Sequence, residues 1–245
     1  MDSNKLDNPI RVEEIRSKIC KKAGLNAFYK ECYNFIKDNL PRDQNFVIEI
    51  GSGGGFLKDF VPQVITSDII FYSDIDVKID AHTLPYPDKS LDCLVLINAF
   101  HHLSNVENFL NEAQRCLRKG GKVIMVEPYP GYIGYPIYRF FHHEDIDLQT
   151  KSWQFKSSSP LGDANNGLAW LVFERDAEIF NRKFNQLKVR VFKPCFPILY
   201  WVSGGLKDWT LVPSFLVKAV IMFDKILIKL FPRTGSFVKI ILEKT

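Results

Sequence analysis

The stretch "VIEIGSGGGF", Val47 to Phe56, constrains this chain more than any other. The β-branched run "NFVIEI" predicts a short buried strand that ends at glycine. Gly51, Ser52, Gly53, Gly54 and Gly55 then let the backbone turn sharply and lie close against a partner. Downstream, "FLKDFVP" predicts the start of a helix whose free N–H groups face the same point. Strand, glycine turn and helix together point to a nucleotide-like ligand. Spacing then narrows the ligand. A phosphate-binding Walker loop needs G-x-x-x-x-G-K-[ST], but Phe56 stands five positions after Gly51 and Lys58 is out of register. A dinucleotide fingerprint also needs glycine at position 56. What stands here is E-x-G-x-G-x-G, from Glu49 through Gly55.

The rest of the chain alternates strands and helices. Residues from about Arg11 to Leu40 predict one or two helices, with Phe28, Cys32, Phe35, Ile36 and Leu40 at helical spacing and "LPRD" as the stop. "NFVIEI", "QVITSD", "DVKID", "LDCLVLI" and "KVIMVE" predict strands one to five. "NVENFLNEAQRCL" predicts a helix closed by "RKGG". Such alternation implies a mainly parallel sheet covered by helices. Few residues separate Asp68 from "DVKID", and a parallel crossover normally takes about a dozen. The helix usual at that crossing is therefore expected to be lost or reduced to a turn. After Glu127 come an aromatic, Pro/Gly-rich stretch, a polar stretch predicted as loop, and "LAWLVFERDAEIFNRKF" as strand or helix. "LKVRVFKP" and "SFVKIILEK" predict strands six and seven.

The E-x-G-x-G-x-G loop resembles motif I of the class I S-adenosylmethionine (SAM) methyltransferases. Asp68, seventeen residues beyond Gly51, is placed to accept hydrogen bonds from both ribose hydroxyls. "IDAHTLPYPDKSLDCLVLINAFHHL", Ile79 to Leu103, resembles the adenine-binding region of the type-11-like subgroup, and "LRKGGKVIMVEP" its turn into strand five. The likeness covers roughly Asn45 to Pro128. It implies a Rossmann-like seven-stranded α/β sheet with helices on both faces, N-terminal helices and a lid insert after strand five. It also implies SAM as cofactor, held by Glu49, Gly51, Ser52, Gly53, Gly55, Asp68, Ile69, Asp80, Ala81 and Asn98. In the family the residue matching Asp80 faces the adenine amino group, and the N–H matching Ala81 meets a ring nitrogen. A narrower resemblance, carried by "EPYPGYIGYPIYRFFHHED", "GLAWLVFERD", "YWVSGG" and "IILEK", is to uncharacterised bacterial methyltransferases associated with surface-glycan synthesis. On these grounds one methyltransferase domain is expected: N-terminal helices 1–43, SAM-binding core 44–128, lid 129–185, and strands six and seven with an apolar insert, 186–245.

Candidate chemistry sits where strands end. His101 and His102 follow strand four, at the sheet edge where open α/β folds bind ligands. His142, His143, Glu144 and Asp145 form the densest titratable cluster, and an imidazole beside a carboxylate suits a general base. His101, His143 and Glu144 are the catalytic candidates. No metal is expected, because adjacent residues seldom point at one ion. Glu127 suits holding a loop, the preferred reading, or facing the acceptor. Asn165 and Asn166 suit either sugar hydroxyls or turns.

The reaction expected is methyl transfer to a small-molecule or glycan-linked acceptor. The alternatives are a non-catalytic SAM-binding protein whose aromatic inserts recognise a partner, and an NAD(P) oxidoreductase that Phe56 disfavours. A net charge of +4 without a Lys/Arg block gives no ground for nucleic acid. Five scattered cysteines read as buried thiols in a reducing compartment. With no signal peptide pattern and no apolar run near the ~20 residues of a span, a cytoplasmic protein is expected. In "FLVKAVIMFDKILIKLF", residues 215–231, Lys218, Lys225 and Lys229 fall on one narrow helical face with apolar residues round the rest. Such a helix suits a membrane surface, giving a peripheral contact, or a place between sheet and lid.

Overall fold

The computed structural model describes residues 9–42, 45–157 and 163–245. Two helices, α1 (Pro9–Lys21) and α2 (Ala23–Asn39), precede the sheet. The strands are β1 (Val47–Ile50), β2 (Ile65–Asp68), β3 (Val77–Lys78), β4 (Leu91–Ile97), β5 (Leu117–Pro128), β6 (Leu187–Cys195) and β7 (Phe237–Lys244). Their order across one sheet is β3-β2-β1-β4-β5-β7-β6. The first five pair in parallel, and β7 runs antiparallel between β5 and β6. This is the expected Rossmann-like class I methyltransferase sheet.

Strand β4 shows why its sequence reads as one apolar run. All seven residues are buried, and alternate side chains feed two cores. Leu94 and Leu96 pack with Phe109, Leu110 and Ala113 of α3 (Val106–Cys116). Cys93, Val95 and Ile97 pack on the other face with Phe28, Cys32 and Ile36 of α2. The N-cap of α3 is Asn105, whose side chain accepts from Asn108 N–H at 3.1 Å. After β5 come α4 (Gly134–Phe141), a helical run Leu168–Trp170 continuing as Leu171–Arg175, and α5 (Ala177–Lys183). After β6 come α6 (Leu199–Val202) and α7 (Val217–Leu230).

Several sequence expectations need correction. "FLKDFVP" forms only a single 3-10 turn, Leu57–Asp59, so no long helix points its N–H groups at the glycine loop. Strand three is two residues long, because the shortened crossing leaves no room for more. Strand five begins at Leu117, so the "RKGG" expected as a turn lies inside it. Cys20 is exposed, while Cys32, Cys93, Cys116 and Cys195 are buried free thiols. In the polar stretch predicted as loop, residues 158–162 lie outside the described residues.

Candidate functional site

A cavity of about 1040 Å³ opens at the carboxyl ends of β1, β2 and β4. Its walls include the whole glycine loop, Asp68, Asp80, Asn98, His101 and Glu144. The glycines do different work. Gly53 has φ +48° and nothing within 4 Å of the place where a Cβ would stand. Gly54 lies under α1, where a Cβ would come within 2.6 Å of the Arg16 nitrogen. One glycine thus leaves room for a ligand, and the other admits a helix of the protein itself. Ser52 is spent on the scaffold, its N–H donating to Ser67 O and its Oγ accepting from Ser67 N–H.

At the end of β2 the Asp68 carboxylate accepts from Gly53 N–H at 3.0 Å and Ile70 N–H at 3.2 Å. The Tyr72 hydroxyl donates to Gly53 O at 2.7 Å and lies 3.4 Å from Asp68 Oδ2. Burial raises the Asp68 pKa, and these donors draw it part of the way back. Glu49 is buried beside the loop, and desolvation lifts its carboxyl to about 8. Just beyond β3, Asp80 accepts from His82 N–H at 2.8 Å and meets His82 Nδ1 at 2.7 Å. His82 Nε2 accepts from Asn105 N–H at 3.2 Å, which assigns its proton to Nδ1 and turns that nitrogen toward Asp80. Ile69 and Ala81 line the same wall.

Asn98 directly follows β4 with φ +51°, and its Oδ1 is buried without a hydrogen-bond partner. A buried acceptor left open is costly unless a ligand fills it. Together with the free space over Gly53 and the buried carboxylates of Glu49 and Asp68, it fits a cofactor that offers N–H and hydroxyl donors and positive charge. The residues present therefore suit the SAM implied by the sequence.

Beyond Asn98 the histidines and acids meet. Glu127 is fully buried and accepts from Ala99 N–H and Phe100 N–H through Oε1, at 2.9 and 3.0 Å. Its Oε2 lies 2.7 Å from His101 Nδ1. On the other side, His101 Nε2 is 3.6 Å from Glu144 Oε2. Burial alone would lower the His101 pKa, but bonds to the two carboxylates outweigh it and raise it to about 9. Burial would raise Glu144, and His101 instead holds it well below the usual carboxylate range. His102 and His142 are lowered to about 4, first by burial and then, for His102, by the charge of His101. His143 stands at the rim with its side chain 55% exposed, its Nε2 3.5 Å from Glu144 Oε1. The inner neighbour of Glu144 on that turn is His142, with Nδ1 at 3.6 Å.

His101, His102 and Glu144 bring three ligand-type atoms within 4.8 Å of one another. The raised pKa of His101 favours a positive charge facing the Glu144 carboxylate there. Asn165 spends both ends of its amide on Asp147 and Gly167. Asn166 holds the 144–145 backbone through Nδ2, and its Oδ1 is buried and unpartnered.

Sequence reasoning missed Tyr72 and His82, and it placed His142 in the titratable cluster without choosing it over His143. Tyr72 sits in the shortened crossing, where the missing helix signalled that something else must cover the loop. For His82 the signal was its place two residues after Asp80, a spacing that suits an Asx-type turn.

Residues 48–125 match the family described as "Methyltransferase domain". This segment, about a third of the chain, is similar to the class I methyltransferase domain. The cofactor of such a domain is S-adenosyl-L-methionine. Among curated proteins, the demethylmenaquinone methyltransferase of Tropheryma whipplei is 31% identical over 71 residues, covering 29% of this chain and 30% of that protein. The ubiquinone biosynthesis O-methyltransferase of Agrobacterium fabrum is 26% identical over 132 residues, covering 46% of this chain and 49% of that one. The chain thus spans 30% and 49% of the length of these two relatives. Among solved structures, a SAM-dependent methyltransferase from Thermotoga maritima shares the fold at a TM-score of 0.52 and 16% identity, over 89% of each chain.

Proposed function

We propose that the protein is a SAM-dependent methyltransferase acting on a small, largely apolar acceptor of the quinol or phenol type. The observation that carries this reading is the continuity of one cavity. It runs from the glycine loop and Asp68, past Asn98, to a wall of Tyr138, Tyr200, Trp201 and Phe237. At about 1040 Å³ it reaches the upper end of the ~300–1,000 Å³ usual for a single ligand, leaving room for an acceptor beside the cofactor. The two quinone-pathway relatives support a ring-bearing acceptor, and they give no support to a glycan-linked one.

When bound, SAM supplies an electrophilic methyl group on a sulfonium. Asp68 and Asp80 bind its ribose and adenine, as the family resemblance implies, and Asn98 Oδ1 accepts from an N–H donor. Glu49, protonated at neutral pH in the free protein, ionises when positive charge is placed beside it. On the acceptor side, Glu144 stays ionised and orients a hydroxyl donor, while His101 fixes Glu144. Neither His101, which holds its proton up to about 9, nor His102 and His142, neutral down to about 4, is tuned to exchange a proton near neutrality. Rate enhancement in this site therefore comes mainly from positioning and exclusion of water. In this reading residues 129–157 and 163–185 supply the cover over the acceptor.

A SAM-binding protein without turnover is the second reading, favoured by the same absence of a tuned base among these groups. The test is calorimetry with S-adenosylhomocysteine, followed by labelled-methyl transfer from SAM to a panel of quinols, phenols, amines and fatty acids. Binding with transfer to a phenolic compound is expected. Binding without transfer to any acceptor would favour the second reading, and no binding would overturn both.

A further inference from the structure

Helix α7 packs with one side only. Val217 and Asp224 are buried, and Val220 and Ile221 lie half-buried against the core of α2. At about 100° per residue, Met222, Phe223, Ile226 and Leu230 fall on the opposite side. Those four are 62%, 52%, 49% and 63% exposed, with Phe215 before the helix at 79% and Phe231 after it at 60%. The outward side of a helix on a globular protein is ordinarily polar. Here it is apolar.

The charges are arranged beside that face. Lys218, Lys225 and Lys229 form one stripe along its edge, all exposed. Lys225 lies 3.2 Å from Glu31, and among the described residues Lys218 and Lys229 make no ion pair. The single acid of the helix, Asp224, is turned inward, where its carboxylate accepts from Ile198 N–H and Leu199 N–H at 3.0 Å each. The outward side thus carries apolar side chains and cations and no anion.

We propose that this face of α7 docks the protein on the surface of an anionic bilayer. The apolar side chains enter the boundary between headgroups and acyl chains, and the lysine stems run along it so that the ammonium groups reach the phosphates. A second copy of this chain would bury the apolar side but leave the lysine stripe without an opposing charge of its own. Docking is tied to the cavity through Asp224, which caps α6, and Tyr200 and Trp201 of α6 are part of the cavity wall. The proposal does not depend on the methyl-transfer reading.

The test is sedimentation of the full chain with phosphatidylcholine vesicles, with and without phosphatidylglycerol, and no SAM present. Binding to the anionic vesicles only is expected, with salt weakening it. Phe223→Ser with Ile226→Ser, and separately Lys218→Ala with Lys229→Ala, should each lower that affinity about tenfold or more while the circular dichroism spectrum is kept. No sedimentation with either vesicle, equal sedimentation with both, or binding unaffected by these substitutions would overturn the proposal. So would a lipid-free dimer dissociated by Phe223→Ser, which would assign the face to a second copy.

Discussion

The Tyr72 hydroxyl donates a 2.7 Å hydrogen bond to the carbonyl of Gly53, tying the short β2–β3 crossing to the cofactor loop. The same hydroxyl lies 3.4 Å from Asp68 Oδ2, so one side chain steadies both the loop and the carboxylate. Tyr72→Phe keeps the ring packing and removes only these bonds. A net loss near ~1 kcal/mol should weaken S-adenosylhomocysteine binding about fivefold in calorimetry. Unchanged affinity would mean that the loop holds its shape without the tyrosine.

Gly53 and Gly54 should fail in different assays. Gly54→Ala places a methyl against the backbone of α1 and should lower thermal stability. Gly53→Val meets no protein atom at Cβ and projects into the cavity, but φ +48° strains an L residue by about 1–2 kcal/mol, against the backbone clash at 2.6 Å in Gly54→Ala. Ligand affinity should collapse in Gly53→Val while its melting temperature falls by less than that of Gly54→Ala. The reverse pattern would exchange the roles assigned to the two glycines.

Glu49 links the site to pH. Its carboxyl is raised from 4.5 to about 8, so the folded state keeps a proton that the unfolded chain releases earlier. Its contribution to stability is full below 4.5 and falls as pH rises through about 8, at up to about 1.4 kcal/mol per pH unit. Glu49→Gln should flatten this decline, melting higher than the wild type at pH 8 in the absence of ligand. It should also bind SAM more weakly, since the neutral amide cannot answer a positive charge. Equal melting curves at pH 5 and pH 8 for the two proteins would remove the burial argument.

His101 gives a second pH window. Its raised pKa means stability that is full below 6.5 and lost as pH rises through about 9. The melting-temperature gap between wild type and His101→Gln should therefore shrink from pH 6.5 to pH 9.5. A constant gap would show that His101 is not held as an imidazolium.

Glu127 accepts from Ala99 and Phe100 N–H groups and meets His101, all in a buried turn. Glu127→Ala leaves those donors unsatisfied and should cost about 3 kcal/mol or more. Glu127→Gln, which keeps an acceptor oxygen, should cost less. Chemical denaturation of the two variants gives the comparison, and similar losses would point to charge rather than to the backbone bonds.

The sheet was legible because its strands are buried on both faces and read as short apolar runs broken by glycine. The loop and Asp68 were legible because the spacing from Gly51 is local in sequence. Tyr72 was not, since its role exists only once the crossing folds back on Gly53. The preference for His143 over His142 beside Glu144 could not be refined from sequence, where neighbours look equivalent. Only the packing of His142 against Tyr138 and Trp201 separates them. The 215–231 helix suits either an internal place or a membrane surface in sequence, with the internal place preferred, because its lysine stripe is compatible with both. The burial of Asp224 adds which side of the helix faces inward.

The antiparallel strand β7 lies between β5 and β6, and β6 has no other neighbour in the sheet. During synthesis, residues 187–195 leave the ribosome long before residues 237–244 can reach them. A nascent chain at that stage carries one unpaired edge on β5 and both edges of β6, and each is open to pairing with another chain. The sheet closes only when its last strand in sequence slots into the gap, so the half bearing β6 gains its order after translation has passed Lys244.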